Sequence, residues 1–100
     1  MRESDIEKHL VKRVRELGGE VRKVSWIGRR GAPDRLVMLP PKFVAERKLP
    51  VHPRTSFWVE LKAPGEKAKP HQLREHERMR AMGERVEVID SMEQIDEVLA

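Results

Sequence analysis

Ser56-Phe57-Trp58-Val59-Glu60-Leu61-Lys62, with Gly31-Ala32-Pro33-Asp34 some twenty-five residues upstream, is the stretch from which the fold is built outward. β-Branched and aromatic residues dominate it and Ala63-Pro64-Gly65 ends it, so it reads as a strand. Successive side chains of a strand point to opposite faces, which puts Trp58, Glu60 and Lys62 on one side and Phe57, Val59 and Leu61 on the other. Asp34-Arg35-Leu36-Val37-Met38-Leu39 is a second short apolar run, ended by Pro40-Pro41, and is expected to pair with the first. Asp34 opens that strand after a Gly-x-Pro turn, where the backbone bends sharply enough to set its carboxylate beside Glu60. Two acids and a lysine then converge. Glu60-Leu61-Lys62 taken alone more often marks the polar side of an amphipathic strand. The Pro-Asp pair upstream, an acid on the preceding helix and a basic charge balance make the combination specific.

Residues 4–18 carry Ile6, Leu10, Val14 and Leu17 at helical spacing, and Gly18-Gly19 is a natural stop. Glu20 to Ile27 reads as a strand and Gly28-Arg29-Arg30-Gly31 as the turn after it. The stretch 40–55, with four prolines among basic residues and with Phe43, Val44 and Leu49, predicts a protruding, partly ordered loop. Pro70 suits a first helical turn, and Leu73, His76, Met79 and Met82 mark one face of a helix closed by Gly83. Arg85 to Asp90 forms a further strand, and Ser91 with Gln94 resembles a capping box opening a last helix with Ile95, Val98 and Leu99. The order αβββαβα predicts an α/β fold, a central mixed sheet flanked by helices, in a single domain over 1–100.

One hundred residues suffice for one modest core. The formal charge of +4 and a pI near 9.8 favour a polyanionic partner, nucleic acid first. The absence of cysteine excludes disulfides, zinc–thiolate sites and cysteine nucleophiles. Met1-Arg2-Glu3-Ser4-Asp5 is charged and leads into an amphipathic helix, so neither a signal peptide nor a membrane span is expected. A soluble, cytoplasmic protein is the expectation.

The chemistry of the converging residues is that of phosphodiester hydrolysis. Two carboxylates hold Mg²⁺ through hard oxygen ligands, and a nearby lysine steadies the attacking water or the phosphate. Glu7 lies on or beside the apolar face of the first helix and is the favoured third acid, with Glu3 its counterpart one turn earlier. An ordinary surface glutamate paired with Lys8, Lys12 or Arg13 is the plain reading of Glu7. Arg29, Arg30 and Arg35 flank Asp34 and suit DNA phosphates. His9, His52, His71 and His76 show no zinc-ligand spacing, and His76, one turn from Gln72, reads as a packed helix-face histidine. Trp26 and Trp58 read as structural rather than base-stacking.

These residues resemble the VRR-NUC (virus-type replication-repair nuclease) domain of the PD-(D/E)xK nuclease superfamily. The likeness spans nearly the whole chain and rests on Glu7, on Gly31-Ala32-Pro33-Asp34, on Glu60-Leu61-Lys62 and on Gln72, in that order. It implies a restriction-endonuclease-like core and catalytic roles for Asp34, Glu60, Lys62, Gln72 and Glu7. It further implies a Mg²⁺ or Mn²⁺ ion held by Asp34, Glu60, the Leu61 backbone carbonyl and Glu7. The stand-alone phage and bacterial members are similar to Holliday-junction resolvases, which implies branched or duplex DNA as substrate, a homodimer, and a bacterial cell or phage-infected host as the setting. A flap, nicking or restriction-like endonuclease with the same site, and a non-catalytic DNA-binding module, are the alternatives.

Overall fold

The computed structural model describes residues 1–41 and 56–100. Among these, the chain runs α1 (Glu3–Glu16), β1 (Glu20–Lys23), β2 (Arg35–Met38), β3 (Ser56–Leu61), α2 (Pro70–Ala81), β4 (Val86–Ile89) and α3 (Met92–Leu99). The expected loop over 40–55 falls almost wholly on residues 42–55, outside the described ones.

Local chemistry sets the helix ends. The Asp5 carboxylate accepts the Arg2 backbone N–H at 2.8 Å at the start of α1. At its other end, the Gly19 backbone N–H donates to the Val14 carbonyl at 2.9 Å. Ser91 Oγ accepts the Gln94 backbone N–H at 3.2 Å while Gln94 Oε1 accepts that of Asp90 at 2.6 Å, so the expected capping pair forms with the glutamine reaching one residue further back.

The strands form one mixed sheet in the order β1-β2-β3-β4. β1 and β2 are antiparallel, as are β2 and β3, while β3 and β4 run parallel with α2 as the crossover. Ile6, Leu10 and Val14, one stripe of α1, meet Val37 and Leu39, Phe57, Val59 and Leu61, Ile89, and Ile95 and Leu99 of α3 in a single buried cluster. One face of the sheet is therefore dry. α2 lies over the other, where His76 meets Glu60 and where Arg80 donates to the Val86 carbonyl at 2.7 Å.

Two details differ from the periodicity reading. β1 ends at Lys23 rather than Ile27, because the last ladder-like bond is Val24 N–H to the Asp34 carbonyl and Pro33, before it, has no N–H to offer. Beyond that bond Ile27 is 100 % exposed. On α2 the buried residues are Glu75, His76 and Met79, while Leu73 and Met82 are exposed. The helix thus buries His76 and Met79 of the stripe that spacing selects, adds Glu75, whose carboxylate holds two arginines, and leaves Leu73 and Met82 outward.

Ile6 and Ile27 give a direct check on this partition. Truncating the fully buried Ile6 to alanine is expected to cost about 2–5 kcal/mol in urea unfolding. The same change at Ile27 is expected to stay within about 0.5 kcal/mol of wild type. Equal losses would contradict the placement of the core.

Candidate active site

Register brings the two acids together. Arg35 pairs with Val59 and Leu36 with Trp58, so one further step along the antiparallel ladder sets Asp34 opposite Glu60. Asp34 is held there by its carbonyl, which accepts the Val24 N–H at 2.9 Å. Lys62 follows two residues after Glu60, and its backbone N–H donates to the Ile89 carbonyl at 2.9 Å, extending the β3–β4 pairing past Leu61. Lys62 and Glu60 are both buried. The Leu61 side chain is packed into the core, leaving only its backbone to serve the site.

The loop between β1 and β2 is fastened to the rest of the site at three places. Trp26 donates its indole N–H to the Pro33 carbonyl at 2.8 Å, and its ring lies 5.1 Å from that of Trp58. The tryptophans pack on each other, in keeping with a structural role. Arg29 pairs with the buried Glu75 at 3.2 Å. Gly31, at φ +86°, abuts the start of α2, where an added Cβ would lie 2.8 Å from the His71 carbonyl oxygen and 3.2 Å from Gln72 Cα. The Gly-Ala-Pro-Asp turn and the N-terminal turn of α2 are therefore in backbone contact, and Gln72 stands beside the loop that carries Asp34. The Gln72 side chain itself accepts the Lys69 backbone N–H at 2.8 Å.

Electrostatics single out Glu60. Burial, together with the negative charges of Asp34 and Glu3, pushes its carboxyl up to about 7, against the opposing pull of Lys62 and Arg35. His76, fully buried on α2, places Nε2 3.1 Å from Glu60 Oε1. Its imidazole is pushed below the ordinary histidine value by burial and by Arg80. His76 is thus both the packed helix residue expected from its spacing and a direct partner of Glu60. The signal for it was its position one helical turn beyond Gln72. Glu75, a buried carboxylate that anchors Arg29 and Arg78, had no such signal, since it stands among charged residues on a helix that reads as solvent-facing.

The helix-one acids divide the work. Glu7 Oε2 accepts Arg35 Nε at 2.7 Å and Arg35 Nη2 as well, and Arg35 Nη1 lies 2.9 Å from Asp34 Oδ2. Glu7 therefore meets Asp34 through a shared guanidinium, while Glu3 is the helix-one acid whose charge acts on Glu60. Arg35, 14 % exposed and held between two carboxylates, faces inward. Arg29 is half-exposed and Arg30 exposed.

Among the described residues, no three histidine, aspartate or glutamate side chains form a ready-made cation cage. A hard dication needs fewer, because Mg²⁺ keeps several of its waters. Asp34 and Glu60, with the latter buried and resisting ionisation, form a pair of oxygen donors that a dication would stabilise, so the residues fit such an ion.

A four-stranded mixed sheet flanked by helices, with Asp34, Glu60 and Lys62 at one end of adjoining strands, defines a restriction-endonuclease-like α/β core. No family model matches the chain. It is 48 % identical over 93 residues to "Putative nuclease p44" of Acyrthosiphon pisum secondary endosymbiont phage 1, a match covering 93 % of this chain and 87 % of that protein. A solved structure described as a VRR_NUC domain superposes with a TM-score of 0.78 at 41 % identity, covering 97 % of this chain and 92 % of the other. The chain belongs to the VRR-NUC family of nucleases.

The raised Glu60 sets a pH dependence for the metal-free protein. The folded state keeps this proton to about 7 whereas the unfolded chain releases it near 4.5, so the stability Glu60 contributes is full below the latter value and lost as pH rises through the former. Urea unfolding between about pH 5 and about pH 8 is expected to show a steeper fall for wild type than for Glu60→Gln. Parallel curves would mean that Glu60 is an ordinary carboxylate.

Proposed function

We propose that this protein is a Mg²⁺- or Mn²⁺-dependent endonuclease that hydrolyses phosphodiester bonds in branched DNA, four-way junctions first, and that it acts as a homodimer in the cytoplasm of a bacterial or phage-infected cell. The observation that carries the reading is the placement of Asp34 opposite Glu60, with Lys62 two residues on and the Glu60 carboxyl pushed to about 7. A buried carboxylate that resists ionisation beside a second carboxylate is a place where a bound cation would be stabilised.

Asp34 and Glu60 would hold the metal ion, with the Leu61 carbonyl as a further oxygen donor. When bound, the ion supplies Lewis acidity at the scissile phosphate and a water of lowered pKa. Lys62 adds a positive charge beside Glu60, where it steadies the attacking water and the charge developing on the phosphate. Glu7 acts as the helix-one acid through Arg35, which it shares with Asp34. Gln72 stands beside the Asp34 turn, and the exposed Arg30, with Arg29 half-exposed beside it while paired to Glu75, would meet the DNA backbone. Among the described residues no helix is long and apolar enough to cross a membrane. Homodimerisation follows from substrate symmetry, because a four-way junction needs two related nicks and a domain with one site supplies both only as a pair.

The test is cleavage of a four-way junction, a flap and a plain duplex of identical sequence, with Mg²⁺, with Mn²⁺ and with chelator. Metal-dependent paired nicking of the junction is expected. Asp34→Asn, Glu60→Gln and Lys62→Ala are each expected to lower the rate by about 100-fold or more. Equal cutting of all three DNAs at one base sequence would replace junction selectivity by sequence reading. Binding without cutting under every metal condition would leave a DNA-binding module. Arg30→Ala is expected to weaken binding to all three DNAs alike and to reduce the salt slope by about 1.

A further inference from the structure

We infer that His76 is a positioning residue for the metal site, donating a hydrogen bond from Nε2–H to Glu60 Oε1 and thereby fixing the glutamate carboxylate for its cation. The inference rests on the reading of Glu60 as a metal ligand given above. Its geometry stands independently: Nε2 and Oε1 are 3.1 Å apart, the imidazole is fully buried, and the contact joins α2 to β3 across 16 positions of the chain.

The chemistry of the surroundings selects the tautomer. Among the described residues His76 Nδ1 is buried and has no hydrogen-bond partner. With Glu60 ionised, as a metal ligand has to be, a proton on Nδ1 would leave a buried donor unpaired and would turn the Nε2 lone pair against the lone pairs of a carboxylate oxygen. An imidazolium would leave the same donor unpaired and, paired with the Glu60 carboxylate at 3.1 Å, would cancel the charge meant for the cation. The neutral ring protonated on Nε2 leaves a single unpaired acceptor, the least costly of the three arrangements.

A neutral donor is also what a metal-binding carboxylate requires of its partner. It orients Glu60 without cancelling the negative charge that attracts the cation, whereas a lysine or arginine at position 76 would compete for that charge. Oε1 is engaged by His76, which leaves Oε2 and the second lone pair of Oε1 for the ion. Full burial of the ring, on the helix face it shares with Met79, limits its rotation, so the orientation is passed on as a fixed constraint. The partnership thus places the supporting residue on α2, the same helix whose first turn abuts the Asp34 loop.

The test uses two replacements of equal length that differ in the donor. Mn²⁺ binding to the full chain is measured by calorimetry for wild type, His76→Gln, His76→Met and Glu60→Gln, with far-UV circular dichroism and thermal unfolding confirming the fold. His76→Met is expected to weaken Mn²⁺ binding by about 10- to 100-fold, and His76→Gln, which keeps an N–H donor, to recover most of that loss. Equal affinity of His76→Met and wild type overturns the inference, as does equal weakening by both replacements, which would be a packing effect. If Glu60→Gln binds Mn²⁺ as wild type does, the ligand role of Glu60 fails first and the inference falls with it. Nitrogen-15 NMR of the wild-type imidazole with Mg²⁺ present and at about pH 8, where Glu60 is ionised, needs no variant: the neutral Nε2–H form is expected, and an Nδ1–H ring or an imidazolium overturns the assignment.

Discussion

The antiparallel register of β2 against β3 is the constraint from which both the core and the site follow. With Val37 opposite Phe57 and Arg35 opposite Val59, the odd-numbered side chains of β3 enter the dry layer beneath α1 and α3. The same pairing sends Trp58 and Glu60 to the α2 side. A slip of one residue would exchange these sets, burying a carboxylate among Ile6, Leu10 and Ile95 and turning Val59 outward. Hydrophobic burial therefore enforces the register, and the register delivers the acids. No separate device is needed to align Asp34 with Glu60.

The α2 layer follows a different logic. Its contact with the sheet is built on polar groups, His76 on Glu60 and Arg80 on the Val86 carbonyl, and in the connection that follows the helix Glu84 accepts Trp58 Nε1–H at 3.0 Å. Buried polar groups are tolerable when their partners are in place, and each of these has at least one. The arrangement spends stability on Glu60, whose carboxyl resists ionisation in this setting. The sheet is thus apolar on one face and polar on the other, with Glu60 on the polar side.

Much of this was legible in the amino-acid sequence because its signals are local. Strand alternation over Trp58 to Lys62, the glycines that end α1 and the proline that opens α2 are each read within a few residues. The residues whose partners lie far along the chain were less legible. Arg35 looked like a phosphate ligand next to Asp34, and only the packing of α1 on the sheet reveals that Glu7, 28 positions away, takes its guanidinium. Spacing finds the buried His76 and Met79 on α2 but not the limits of that face: Leu73 and Met82 are apolar yet exposed, whereas Glu75 is charged yet buried and paired with two arginines. Composition cannot rank a paired carboxylate above a methionine for burial; a three-dimensional partner list can.

The contact of Gly31 with the first turn of α2 has a mechanical consequence. Main chain rests on main chain there, with no side chain between that might change rotamer. Such a contact acts as a hard stop: the spacing between the aspartate turn and the helix is gauged by atomic radii rather than by any adjustable group. The aspartate turn and the first turn of α2 are thereby gauged together, and any side chain added at Gly31 would have to force them apart.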